Sequence, residues 1–165
     1  MTINQNGILM QPGEGDTYVV AGDVVTFKAV SEDTDGKYAL FEIFVEPQIG
    51  PPPHIHTHED EAFYIQEGTF EFHLDDQTIV ANIGTFLHSP KGQLHYFKNI
   101  GSTTGKLLCW TTPAGIEKFF AEVGTKVASP LAPPPPITPE VIERIIATAP
   151  KYGIQILIPT ADASA

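Results

Sequence analysis

Three histidines fall within five residues, His54, His56 and His58, and the acids Glu59, Asp60 and Glu61 follow at once; His95 stands alone later in the chain. Imidazole and carboxylate together hold divalent transition metals. In a strand, residues two apart point to the same side, so His54 and His56 aim two rings at one point. A turn after His56 would return Glu61 on the next strand, on a face shared with Phe63 and Ile65. His95 would enter from a separate strand, with Phe97 and Asn99 on its face. Three imidazoles and one carboxylate suit Fe, Mn, Co, Ni, Cu or Zn, and affinity alone does not choose among them. Open positions on one such divalent ion would admit water, dioxygen or a chelating substrate. A lone histidine in a strand is more often structural, and clustered histidines beside acids also fit a solvated loop, so His54 and His56 by themselves leave both readings open. His58 shares the ligand face if the chain stays extended and leaves it if the chain turns at Thr57; the exposed or supporting place is favoured. Glu59 and Asp60 read as surface acids, and His73 as outward-facing.

The elements that must position these groups are mostly strands. Thr17 to Val20, Val24 to Val30, Tyr38 to Val45, Ala62 to Gln66, Thr69 to Leu74, Thr78 to Ala81, Thr85 to Ser89, His95 to Lys98 and Lys106 to Thr112 are short β-rich runs. Each is bounded by Gly, Pro, Asp or Asn, as at Ala21-Gly22-Asp23, the polar loop Ser31 to Gly36, and the break from Gln48 to Pro53. Such spacing predicts an all-β barrel or jelly roll. Ile116, Phe119, Phe120 and Val123 then mark a short helix. Four consecutive prolines, Pro133 to Pro136, predict a polyproline II segment. A helix from Glu140 to Ala147 should follow, with Thr138 as N-cap and Pro139 at its first position. Ala161 to Ala165 reads as a loose tail. The organisation is thus 1–128, a barrel ending in a short helix, and 129–165, a proline-rich segment, helix and tail packed on the barrel, or on a partner, near the cavity.

The chain has 165 residues, enough for one domain with a core and a small cavity. Its net charge of -11 leaves no basic patch for nucleic acid or for an anionic membrane. Met1 to Asp16 carries neither a basic n-region nor a long apolar run, so no signal peptide and no membrane span are expected, and a cytoplasmic protein is. Cys109 is the single cysteine and lies in the apolar run Leu107 to Trp110, where a buried thiol acting as a small hydrophobe is expected.

The two ligand segments resemble the two motifs of the cupin superfamily. The first is His-x-His, four residues, Glu, six residues, Gly, filled by His54, His56, Glu61 and Gly68. The second is Gly, five residues, Pro, one, Gly, two, His, three, Asn, filled by Gly84, Pro90, Gly92, His95 and Asn99. One departure is that the family's opening glycine falls at Gln48, whereas the glycine here is Gly50. The resemblance implies a cupin double-stranded β-helix with short C-terminal helices, a metal held by His54, His56, Glu61 and His95, a turn role for Asn99, and a homodimer paired through edge strands.

A fold of this kind does not fix an activity. Candidates to line the cavity are Phe63, Phe72, Phe86, His88, Phe97, Trp110 and Phe119, with Ile65, Phe70 and Phe120 nearby. Basic residues are scarce, so a cationic clamp for a phosphosugar is not expected. The pocket composition resembles small single-domain cupins related to quercetin 2,3-dioxygenases, and Ala149-Pro150-Lys151-Tyr152-Gly153-Ile154 resembles a recurrent tail among them. That likeness implies a metal-dependent dioxygenase whose partners are a flavonol or similar enolic aromatic substrate and dioxygen, with Glu61 both ligand and general base. A non-catalytic ligand-binding cupin and a metal-dependent isomerase or decarboxylase are the alternatives.

Overall fold

A computed structural model describes residues 7–158; residues 1–6 and the tail expected at Ala161 to Ala165 lie outside it. The described chain runs β1 Thr17–Val20, β2 Asp23–Ala29, a one-turn helix α1 Ser31–Thr34, β3 Ala39–Val45, β4 His54–His56, β5 Asp60–Glu67, β6 Phe70–Leu74, β7 Gln77–Ala81, β8 Phe86–Ser89, β9 Leu94–Asn99 and β10 Gly105–Thr112. Then come α2 Ile116–Val123, β11 Thr125–Val127, α3 Pro139–Thr148, a 3-10 turn Ala149–Tyr152, and β12 Ile154–Ile156. All paired strands are antiparallel. One sheet has the order β11-β1-β2-β3-β10-β5-β8 and the other β12-β4-β9-β6-β7. This is the all-β architecture of two antiparallel sheets expected from the strand spacing.

Alternation fixes which face of each strand is inside. In β3, Ala39, Phe41, Ile43 and Val45 are buried while the residues between them are half-exposed. In β10, Leu107, Cys109 and Thr111 face inward and Leu108 and Trp110 outward. The inward aromatics from both sheets meet. Phe72 lies 5.1 Å from Phe63 and 5.1 Å from Phe97, ring centre to ring centre, and Phe97 lies 5.8 Å from Phe70. Each such ring contributes about 1.5–3 kcal/mol by leaving water. This packed layer supports the histidine-bearing end of the barrel, with Phe63 6.2 Å from the His95 ring.

The entry to β4 explains the displaced glycine. Gln48 adopts a left-handed φ of 66°, the conformation that a glycine takes most readily, and its N–H donates to the Asn99 carbonyl at 2.8 Å. Gly50 is needed for a different reason, because a Cβ there would stand 1.9 Å from the Phe97 carbonyl oxygen. The chain thus lies flat against β9 just before it delivers His54. Asn99 is a structural residue, as expected: its amide donates to the Val45 and Thr103 carbonyls at 2.8 and 2.9 Å, and its oxygen accepts from the Gly101 N–H.

The C-terminal segment, expected to pack on the barrel or on a partner near the cavity, also supplies a strand that the sequence did not announce. Thr138 caps α3 and accepts from the Val141 N–H, and Pro139 opens the helix, as the sequence predicts. Arg144 then donates to the Val123 carbonyl, at 2.7 Å from Nη2, and ties α3 to the end of α2. After the 3-10 turn the chain becomes β12 and pairs with β4, Ile154 opposite His56 and Ile156 opposite His54. The segment is therefore an edge strand of the sheet that carries three of the candidate ligands, and it pairs with the strand that bears two of them. Strands β11 and β12, three residues each, were too short for a two-residue period to announce. The polar run expected as a loop at Ser31 to Gly36 instead contains α1, tied to α2 where Glu117 accepts from the Ser31 N–H and hydroxyl. Among the described residues no helix is long and apolar enough to cross a membrane.

Candidate metal centre

His54 and His56 project from the same face of β4, and His54 lies directly opposite His95 on the neighbouring strand β9. Glu61 comes from β5 in the facing sheet. The ring centres of His54 and His95 are 4.4 Å apart, those of His54 and His56 5.0 Å, and those of His56 and His95 5.3 Å. One ligand atom from each of His54, His56, Glu61 and His95 lies within 4.8 Å of all the others. Strand parity brings the histidines together, and barrel closure adds the carboxylate.

The surroundings decide how each group presents itself. The Nδ1 of His54 is 2.7 Å from the Pro52 carbonyl, and the Nδ1 of His95 is 3.1 Å from both the Gln93 carbonyl and the Ser89 hydroxyl. A carbonyl can only accept, so Nδ1 carries the proton in both rings, and in the neutral His54 ring Nε2 is left with its lone pair. For His95, Nε2 is 2.7 Å from Glu61 Oε2, and for His56 the corresponding distance is 3.3 Å. The other side of His56, Nδ1, stands 3.4 Å from Glu59 Oε1, an ionic contact too poorly aligned to count as a hydrogen bond. Burial, with the nearby rings of His95 and His56, lowers the His54 pKa to about 3, so that ring is neutral. Burial also opposes charge on His56, but Glu61 and Glu59 outweigh it and hold that ring protonated when no other cation is present. Burial pushes the Glu61 carboxyl up, yet His56 and His95 prevail and keep it ionised.

This donor set fits a divalent transition metal. Three imidazole nitrogens and a carboxylate oxygen converge, two of the rings are held at Nδ1 by backbone carbonyls so that Nε2 faces the centre, and a buried carboxylate supplies negative charge. A cation at the centre would take over the role that the His56 proton plays without it.

Four residues near the centre were not read from the sequence in these roles. Glu59, expected at the surface, is only 5% exposed and faces His56. Ser89 is buried and supports His95. Cys109 is buried, as expected, but is more than a small hydrophobe, since its thiol donates to Glu61 Oε1 at 3.1 Å, and burial together with the Glu61 charge pushes its pKa well up. Asp23, read as a turn residue, lines the same cavity as the cluster. The inward parity of Cys109 beside Leu107 and Thr111 was the one usable sequence signal. His58 is exposed and lies against Gly153, away from the cluster, and His73 is on the outer face, stacked 4.2 Å from Tyr96.

A cavity of about 100 Å³ adjoins the cluster. Of the expected lining residues, Phe63, Phe97 and Phe119 line it, and Phe120 joins them. The others require correction. Phe72 is fully buried in the aromatic layer and does not reach the cavity. Phe86, His88 and Trp110 point to the outside: Phe86 is 57% exposed and stacks on Trp110 at 5.7 Å, and His88 approaches Asp60 at 4.0 Å. In β8 the inward residues are Leu87 and Ser89, so both of their neighbours must face outward. Instead of these, the walls include Val25 and Ile43 from the larger sheet, Ile116 from α2, and Ile145, Ile154 and Ile156 from the C-terminal segment.

Residues 41–111 match the family model described as "Cupin domain". No curated protein matches the chain. Among solved structures, the chain is similar to KdgF from Halomonas sp., with 14% identity over 70% of this chain and 99% of that one and a TM-score of 0.60. It is also similar to a predicted oxalate decarboxylase from Thermotoga maritima, with 16% identity over 66% and 99% of the two chains and a TM-score of 0.59. A third is an RmlC-like cupin from Shewanella frigidimarina, with 17% identity over 72% and 99% and a TM-score of 0.58. At these identities the likeness speaks for the fold alone. The matched domain, which spans all four clustered side chains, and the shared fold together support the cupin superfamily for this chain.

Proposed function

We propose that the protein is a metal-dependent dioxygenase acting on an enolic aromatic substrate, of the kind that quercetin-like flavonols exemplify. One observation carries this reading: the His54–His56–Glu61–His95 cluster opens on a cavity whose other walls, Asp23 apart, are apolar and contain no lysine or arginine. A phosphosugar or a small dianion would be left without a cationic partner on those walls. An uncharged, flat molecule that presents one or two oxygens to the cluster loses nothing there. Size narrows the class further. A cavity on the order of 150 Å³ takes a benzene-sized guest, so one of about 100 Å³ admits at most a single ring, and a flavonol would insert no more than its oxygenated ring.

The chain's own groups divide the work. Glu61 is held from both sides, Oε1 by the Cys109 thiol and Oε2 by His95, and it is ionised. It is therefore placed to receive the proton of a substrate hydroxyl. A bound metal would acidify that hydroxyl and hold its oxyanion. Phe63, Phe97 and Phe119 exclude water from the ring and set its plane.

The test is oxygen consumption by protein reconstituted separately with Fe, Mn, Co and Ni, with 3-hydroxyflavone and single-ring enols such as 3-hydroxy-4-pyrones as substrates. Both atoms of ¹⁸O₂ should enter the product. Tight binding without oxygen uptake with every metal would favour a ligand-binding cupin, and isomerised or decarboxylated product without oxygen uptake the remaining alternative.

A further inference from the structure

Asp23 follows a tight turn in which Ala21 and Gly22 both take positive φ, 49° and 95°. As the first residue of β2, opposite Val20, it shares the inward face of Val25 and Phe27. Its side chain therefore does not stay in the turn but enters the barrel, and it lines the cavity together with His54, His56 and Glu61. It is 9% exposed, and its Oδ1 is buried without a hydrogen-bond partner among the described residues. Buried carboxyl oxygens are almost always satisfied, and one that faces a cavity is placed to meet a ligand atom. β2 belongs to the sheet that faces β4, so this carboxyl approaches from the side opposite His54 and His56.

We propose that Asp23 is a specificity-determining residue, which hydrogen-bonds a neutral polar substituent, a hydroxyl or a carbonyl, on the part of the substrate turned away from the histidine cluster. The proposal rests on the reading of this cavity as the substrate site. Burial alone raises the Asp23 carboxyl to about 8, so near neutral pH it is the protonated acid. In that form one oxygen donates to a carbonyl or hydroxyl oxygen and the other accepts from a hydroxyl. An ammonium is not required to neutralise it, and an anionic substituent would meet no lysine or arginine on the walls. The substrate class is thus narrowed to a single oxygen-chelating ring that carries a second, uncharged polar group.

Two catechols that differ in one atom test this, 4-methylcatechol and 4-(hydroxymethyl)catechol, bound anaerobically to the zinc-loaded protein and followed by calorimetry. Both offer the same chelating oxygens, and only the second offers Asp23 a partner. The wild type should prefer the hydroxymethyl compound by about tenfold, the order expected when a buried polar group gains or loses its partner. Asp23→Ala should abolish the preference with zinc content unchanged. Asp23→Asn, which keeps a donor and an acceptor at the same place, should retain most of it, and it also serves if the alanine variant fails to fold. Equal affinity of the wild type for the two catechols overturns the role of Asp23 while leaving the cavity as a chelator site. Failure of both to bind overturns the substrate-site reading and this proposal with it.

Discussion

Replacing Asp23 by asparagine should change stability in a strongly pH-dependent way. The carboxyl has an ordinary value of 3.8 and is pushed up to about 8 in the folded chain, with burial as the cause and no charged neighbour contributing. Between those two values the native state binds a proton that the unfolded state does not. Native stability therefore falls as pH rises across that window. The full slope is 1.36 kcal/mol per pH unit, so the upper bound between pH 5 and pH 7 is about 2.7 kcal/mol. Water entering the cavity relaxes part of the penalty, and a loss on the order of 1–2 kcal/mol is expected over that interval. Asparagine does not titrate and removes the whole dependence, whatever constant offset its amide introduces. The other titratable groups lining the cavity, His54, His56 and Glu61, remain in both proteins and cancel in the comparison. Urea unfolding of wild type and Asp23→Asn at half-unit steps from pH 4 to pH 8 measures the difference directly. The variant should gain on the wild type steadily as pH rises. A stability difference that stays flat from pH 4 to pH 8 would refute the reasoning, because Asp23 would then titrate normally and be solvated.

Further expectations follow from the same site. His56→Ala should strip the metal from purified protein, whereas His58→Ala should not, as metal analysis will show; the reverse result would mean that the wrong histidine has been assigned. Glu61→Gln keeps an oxygen donor but removes the proton acceptor, and should retain much of the metal while losing turnover by about 10²–10⁴-fold. Deleting the chain from Ala149 onward removes β12 and the buried Ile154, and should cost at least about 2 kcal/mol and weaken metal binding as well; metal affinity unchanged in calorimetry would show that β4 holds its histidines without its edge partner. Light scattering at micromolar concentration should give a dimer, twice the 17.9 kDa of one chain, and a monomer mass would rule out the edge-strand pairing.

The two cupin motifs made the ligand set legible because they encode geometry as spacing. His54 and His56 differ by two and must share a strand face, and the turn glycines and Asn99 are placed by the same pattern. The succession of strands along the chain and the cap of α3 were legible for similar reasons, since alternation and Thr138-Pro139 are local signals. Pocket lining was not. Phe86, His88 and Trp110 lie in strands where both faces carry large or apolar residues, so composition gives no parity. Leu87 and Ser89 occupy the inside only because β8 pairs in a particular register with β5, Ala62 opposite His88.

Sequence alone thus determined the side chains that meet at the centre and the kind of barrel that brings them there, because a two-residue period and fixed motif spacing are properties of the chain itself. Only the tertiary structure decided what surrounds them. Glu59, Ser89 and Cys109 support the cluster through contacts between residues distant in sequence or across a turn, with no spacing rule to announce them. The C-terminal segment becomes β12 because β4 would otherwise present an unpaired edge. Asp23 turns from a hairpin residue into a cavity wall because the sheet that carries it closes over the histidines, and closure is a property of the whole barrel.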